Sequence, residues 1–188
     1  MPSYFDRFPV VNYNGRDVLN ITKRAKIRDN FKENPFMFLP YTVEDDDRPE
    51  DVAYYYYGDP GYVWLIYYAN DIVDPYTDWP MQYDQLNRYL IKKYQDQAPS
   101  GTVGYGVIEW MQNTNRTDNI KHHVTTDGRI LSPETPTLLP SEYPAETYRT
   151  VRFYEWEDEL NESKRNIFVV NREYSDQMEK ELEKLLND

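Results

Sequence analysis

The sequence predicts an α+β fold: a small strand–helix–helix domain with an N-terminal arm and an extended C-terminal region that ends in a strand and a helix. Three observations predict it. "FMFLPYTV" (Phe36–Val43) is rich in residues that favour a pleated surface, and two proline-opened helical patterns follow it. "IKHHVTTDGRIL" has the pattern of a hairpin, with Asp127-Gly128 as its turn dipeptide. "NIFVV" followed by "SDQMEKELEKLL" reads as a buried-type strand and then an amphipathic helix.

Residues 1–36 read as an arm. "YFDRFPVVNYNG" is aromatic and turn-rich, and the basic segment "NITKRAKIRDNF" follows it. That segment reads either as a solvated strand or loop or as one that lies on a partner and orders there, with Lys23, Arg24 and Arg28 as the candidates for contact. Residues 37–98 form the central domain. Asp46 or Asp47 is the expected N-cap of the first helix, with Pro49 in its first turn and Glu50 and Asp51 complementing the helix dipole. Val52, Ala53, Tyr56 and Tyr57 share one helical face, and Gly58 is placed to end the helix with positive φ. Asp59-Pro60 starts a second helix, "GYVWLIYYAN", which is apolar nearly all round and therefore covered on more than one side. "NDIVDPYTDWP" is a turn-rich exit, and "YDQLNRYLIKKYQDQ" is a third helix with Leu86, Tyr89, Leu90 and Tyr94 on one face.

Residues 99–150 read as an extended and hairpin region, with a strand over Val103–Gln112 and a proline-rich strap over Ser132–Pro144. Residues 151–188 form the C-terminal segment. Its Phe153–Leu160 part is open between helix and strand. Its last helix is expected to be capped by Ser175 and to bury Met178, Leu182 and Leu185.

Composition narrows the function. The formal net charge of −12 argues against general binding to nucleic acid, which rests on neutralising phosphates, and against attraction to anionic membranes. The charge is uneven: residues 1–43 carry seven Lys and Arg against four Asp and Glu, residues 44–100 four against twelve. A basic arm and an acidic middle fit complementary docking between protein subunits. The chain has no cysteine, so disulfides, thiolate metal sites and a cysteine nucleophile are excluded. The N-terminus lacks the pattern of a signal peptide, and no apolar run is long enough to span a bilayer, so a soluble protein made in a cytoplasm is expected.

No motif nominates an active site. His122 and His123 are adjacent, so on a strand they point to opposite faces and are expected to be exposed or partly packed rather than to share a metal. "EDDD" (Glu44–Asp47) lacks the ligand spacing of an EF-hand. There is no P-loop, GxGxxG, GxSxG or HExxH pattern. No catalytic residue, cofactor or metal ligand is expected.

The densest feature is "RPEDVAYYYYGDPGYVWLIYYANDIVDPYTDWP", from Arg48 to Pro80, with eight tyrosines and two tryptophans. It could supply a core, a sugar-binding surface or a surface that meets another protein. Val52, Tyr56, Trp64, Leu65 and Tyr68 are the expected core. Tyr76, Trp79 and Pro80, on the turn-rich exit, are the candidates for contact with a neighbour, since loops lie on surfaces and buried aromatics often dominate binding.

This stretch resembles the signature of the baseplate wedge protein family of contractile-tailed, T-even-like phages, the gene fifty-three product. The resemblance is carried by Arg48-Pro49-Glu50, Tyr57-Gly58-Asp59-Pro60, Trp64, Asn70, Asp74-Pro75-Tyr76 and Trp79-Pro80. "YFDRFPVVNYNG", "NITKRAKI" and "RNIFVVNREYSDQMEKELEKLL" resemble the family's two ends. It implies a central domain similar to the LysM fold, a βααβ unit with Gly58-Asp59 where LysM domains carry their own Gly-Asp. No closing strand follows the second helix directly, because "DPYTDWP" leads into another helix. The resemblance further implies a structural, non-enzymatic subunit of the virion's tail baseplate, made in the host cytoplasm. Such a subunit joins and clamps adjacent wedges around the tube and hub. Its implied partners are the wedge-core subunits, a sheath-initiator-like wedge protein and neighbouring copies across wedges. The alternative is a peptidoglycan-binding module that uses LysM-like loops.

Overall fold

A computed structural model describes residues 8–23 and 36–187. In chain order the described residues form β1 (Val10–Tyr13), β2 (Arg16–Leu19), β3 (Phe38–Thr42), α1 (Pro49–Tyr57), α2 (Val63–Ala69), α3 (Pro75–Asp78) and α4 (Tyr83–Tyr94). They continue through α5 (Gly106–Gln112), β4 (Ile120–Thr125), β5 (Ile130–Leu131), α6 (Thr135–Leu138), β6 (Tyr148–Arg152) and α7 (Phe153–Ser163), to β7 (Asn166–Val170) and α8 (Ser175–Asn187). The fold is α+β, as the sequence predicts. The chain divides into two compact units: unit 1 joins the segment up to Pro80 with the segment from Lys164, and unit 2 is Met81–Ser163. The boundary expected at 98/99 is thereby displaced, and α4 belongs to unit 2. The expected segment 151–188 is likewise cut between Ser163 and Lys164.

Unit 1 is built on an antiparallel pair. β3 lies against β7 in a register running from Phe38↔Val170 to Thr42↔Asn166. The strand missing after the second helix is therefore β7, delivered from beyond unit 2. Local sequence could not reveal this, because the pairing spans most of the chain. α1 opens on Pro49 with Glu50 and Asp51 in its first turn, but its N-cap position is Arg48, with no side-chain cap. The expected cap, Asp47, is used one turn earlier: its carboxylate accepts from the Glu44 N–H at 3.0 Å and the Tyr41 hydroxyl at 3.2 Å. Gly58 ends the helix with φ 83°, and its N–H reaches the Tyr54 carbonyl at 2.8 Å. The Asp59 carboxylate accepts from Gly61 N–H at 2.7 Å and opens the turn into α2.

Two apolar clusters fill unit 1. Phe8, Met37, Trp64, Leu65, Val170, Met178, Leu182 and Leu186 form one. Val43, Val52, Ala53, Ile66, Trp79, Ile167 and Val169 form the other. Leu65 and Ile66 of α2 face these two clusters respectively, which explains a helix that is apolar nearly all round. Each such fully buried side chain contributes roughly 1.5–3 kcal/mol. The α8 stripe is Met178, Leu182 and Leu186; Leu185, expected in it, is only half-buried. Asn171 caps the 3-10 turn Arg172–Tyr174 that leads into this helix, accepting from Glu173 N–H at 3.2 Å, and Ser175 is the first residue of the helix, its hydroxyl donating to the Arg172 carbonyl at 2.7 Å.

The outer edges of this two-stranded sheet are guarded. Asn70 reads the β7 edge like a strand, accepting from Phe168 N–H at 2.8 Å and donating to its carbonyl at 2.7 Å. The Tyr57 hydroxyl donates to the Val170 carbonyl at 2.9 Å. On β3, Pro40 removes a donor from the strand.

Unit 2 packs α4, α5 and α7 around Met81, Leu86, Leu90, Tyr94, Val107, Ile108, Trp110 and Met111. A three-stranded antiparallel sheet, β5-β4-β6, completes it. The strand expected over Val103–Gln112 is a correction: Gly106–Gln112 is helix α5. Its buried residues Val107, Ile108, Trp110 and Met111 fall at helical spacing, so tertiary packing overrides the strand preference of Val and Ile. Asn119 ends α5, donating to the Trp110 and Asn113 carbonyls, each at 2.7 Å. The strap over 132–144 is not wholly extended, since it contains the single turn α6 with Pro136 buried. Phe153–Leu160 resolves as helix, in α7. Among the described residues, no helix is long and apolar enough to cross a membrane.

Candidate interface surfaces

Three surfaces of unit 1 place apolar or aromatic side chains outside its two cores. The first is the β1–β2 hairpin. Asn14 (φ 50°) and Gly15 (φ 76°) both take the left-handed backbone that a tight two-residue turn needs. The Asn12 side chain accepts from Gly15 N–H at 3.1 Å and donates to Asp17 at 3.1 Å, which locks the turn. The pairing Val10↔Leu19, Val11↔Val18, Asn12↔Asp17 and Tyr13↔Arg16 divides these side chains between two faces. Val11, Tyr13, Arg16 and Val18 share one, and Val10, Asn12, Asp17 and Leu19 the other. All eight are exposed.

The second surface is the outer face of α1. Val52 and Ala53 are buried, so Glu50, Asp51, Tyr54 and Tyr55 face solvent together. The Tyr54 and Tyr55 rings meet edge-on with centroids 6.0 Å apart. Exposed Glu44, Asp45 and Asp46 precede the helix, and Arg165 pairs with Asp45 at 2.6 Å.

The third surface is the turn at α3. Asp74 caps it, accepting from Tyr76 N–H and the Thr77 hydroxyl, each at 3.0 Å. Asp78 accepts from the Asp74 and Val73 N–H groups at 2.9 and 3.0 Å, and these bonds hold its carboxyl below the usual carboxylate range. Lys164 donates to the Thr77 carbonyl at 2.7 Å. The result is a tight knuckle with Val73 and Tyr76 at its tip, Tyr76 being 81% exposed.

The candidate residues therefore separate. Tyr76 stands out from the surface. Trp79 does not: it is 7% exposed, lies in the second core cluster, and its indole N–H donates to the Asp47 carbonyl at 3.0 Å. The turn that projects Tyr76 points Trp79 inward, so Trp79 is a core residue and not a surface contact. Pro80 and Lys23 are half-buried. Arg24 and Arg28 lie outside the described residues. Sequence reasoning missed Tyr54, Tyr55 and the hairpin. Both signals were present: assigning Tyr56 and Tyr57 to the inner face of α1 leaves Tyr54 and Tyr55 outside, and Asn14-Gly15 between the apolar pairs Val10-Val11 and Val18-Leu19 is a strong hairpin signal.

The histidines of unit 2 are also a correction, because both are buried. His123 is held through both ring nitrogens, Nε2 donating to the Pro133 carbonyl at 3.2 Å and Nδ1 sharing a hydrogen bond with the Thr150 hydroxyl at 3.0 Å. An irregularity in the pairing between Ile120 and His122 accompanies the burial of both neighbours. The His122 ring meets Trp156 edge-on at 5.2 Å, and burial and the nearby Lys121 push its pKa down.

Comparison with known proteins gives the family of the chain. A stretch of 56 residues, 30% of this chain, is 32% identical to "Baseplate wedge protein gp53" of Enterobacteria phage T4 and spans 29% of that relative's length. The family model for base plate wedge protein 53 matches residues 5–184, nearly the whole chain. The chain belongs to the base plate wedge protein 53 family.

Proposed function

We propose that this subunit joins and clamps adjacent wedges around the tube and hub during baseplate assembly, and that its work is binding rather than catalysis. The observation that carries this reading is the family match taken with the three surfaces of unit 1. Hydrophobic and aromatic side chains are set on a hairpin, a helix face and a knuckle, while the cores are filled without them. Exposed tyrosines of this kind are favoured anchors at protein interfaces. The wedge-core subunits and a sheath-initiator-like wedge protein are the partners this role requires. Co-expression with the wedge proteins of the same phage, followed by size-exclusion chromatography and mass determination, tests it. The chain is expected to co-elute with the wedge core, and Tyr76→Ala or removal of residues 1–23 to weaken that complex. Elution of the chain alone under all such conditions would contradict the reading.

A second reading rests on the topology of unit 1. Strand, helix, helix and antiparallel closing strand follow in the order of a LysM-like βααβ unit, with Gly58-Asp59 between the helices. Retention of the full chain on purified peptidoglycan, with no co-elution with wedge proteins, would favour a glycan-binding module instead.

A further inference from the structure

The β1–β2 hairpin poses a physical problem. A two-stranded hairpin is marginal in water unless something covers it, and all eight strand residues here are exposed. Its turn is nonetheless fully built, and Asn20 N–H extends the ladder to the Pro9 carbonyl at 2.8 Å. The β3–β7 pair has its edges guarded by Asn70, Tyr57 and Pro40. The hairpin strands carry no proline and no lysine to blunt their edges. One face of the hairpin holds Val11, Tyr13 and Val18 together with its single cation, Arg16; its single carboxylate, Asp17, lies on the other.

The charge of the chain points to what covers that face. The hairpin strands carry one cation and one carboxylate, with the cation Arg16 alone on this face, whereas Glu44–Asp51 holds six carboxylates against one cation, Arg48. The outer face of α1 is the complementary surface: Tyr54 and Tyr55 give it aromatic area, and Glu50 and Asp51 give it negative charge beside exposed Glu44 and Asp46. Within one copy, Tyr54, Tyr55 and the hairpin are all exposed, so they do not cover each other.

We propose that the Val11–Tyr13–Arg16–Val18 face of one copy's hairpin seats on the Glu50–Asp51–Tyr54–Tyr55 face of α1 in a second copy. The contact is head-to-tail. Arg16 lies among carboxylates and against a tyrosine ring, while Val11 and Val18 cover the tyrosine edges. Such a heterologous contact propagates from copy to copy, into a ring if the rotation closes. This deepens the joining role proposed above. It is read from self-association with no other wedge protein present, so its failure would leave co-elution with the wedge core untouched.

The test uses the full chain and two variants in sedimentation equilibrium. One variant is Val11→Asp with Arg16→Glu and Val18→Asp. The other is Glu50→Lys with Asp51→Lys, Tyr54→Ser and Tyr55→Ser, which leaves the buried Val52 and Ala53 unchanged. The unmodified chain is expected to self-associate with concentration, and to do so roughly tenfold more weakly when salt is raised from about 0.05 to 0.5 M. Each variant alone is expected to be monomeric, and an equimolar mixture to give a one-to-one dimer that does not grow. That recovery shows both variants to be folded. A monomeric unmodified chain at all concentrations would overturn the proposal. So would an α1 variant that still dimerises alone, which means hairpin-to-hairpin pairing, or two variants that stay monomeric when mixed.

Discussion

Glu157 shows how one carboxylate organises unit 2. It is buried, accepts from Lys93 Nζ at 2.8 Å and from the Tyr94 hydroxyl at 2.6 Å, and joins α7 to α4. Burial pushes the Lys93 ammonium down, but the hydrogen bond and charge of Glu157 outweigh it and leave its pKa raised. Lys93 keeps access to water, so the larger loss in Glu157→Ala is the stranded Tyr94 hydroxyl; about 2 kcal/mol of stability should go, measured by urea unfolding. His122 gives a pH signature of the opposite kind. Its folded pKa lies below the ordinary 6.5, so the unfolded chain takes up the proton first. Its contribution is therefore intact above pH 6.5 and lost as pH falls through the folded value. Thermal melts should decline between neutral and mildly acidic pH, and His122→Gln should flatten that slope. Neither role was legible in the sequence. Adjacent histidines on a strand read as a half-exposed pair, and both are buried because each face of β4 is covered, by Trp156 over His122 and by Tyr148 and Pro133 over His123.

Local chemistry made most elements readable, and non-local pairing hid the rest. α1, α2, α4 and α8 announce themselves through proline and acidic starts, a glycine stop and 3.6-residue periodicity. Gly58→Ala should cost about 1 kcal/mol, because φ 83° is strained for any residue with a Cβ. A calorimetric melt of that variant checks the turn between α1 and α2. α5 was misread because seven residues with two β-branched side chains and flanking glycines do not distinguish strand from helix until the packing partner is known. Trp79 was misread for a related reason. Its neighbours are turn formers, yet the backbone turns extended at Trp79 after α3 and carries that side chain into the second core cluster. Asn70 illustrates what no local pattern reveals, since its two bonds reach Phe168, 98 positions away. Asn70→Ala should destabilise unit 1 by about 1 kcal/mol and expose the β7 edge, seen as faster amide exchange at Phe168.

In the whole chain, one unit is interrupted by the other. β7 and α8 complete the core begun by β3, α1 and α2, and Met81–Ser163 is inserted between them. The bond from Lys164 to the Thr77 carbonyl, at 2.7 Å, brings the two ends of unit 1 together at the insertion point. Replacing residues 81–163 with a short Gly-Ser linker should therefore leave unit 1 folded, with a single cooperative transition. A chain without cooperative unfolding would show that unit 1 depends on the insertion. With its cores filled and its hairpin, α1 face and Tyr76 knuckle left outward, unit 1 has the economy of an assembly subunit. The most direct measurement is to mix purified wedges of the same phage with and without this chain and to image the products by negative-stain electron microscopy. Wedges should join edge to edge only when the chain is present, and the hairpin variant should abolish the joining. Wedges that join equally well without it would contradict a clamping role.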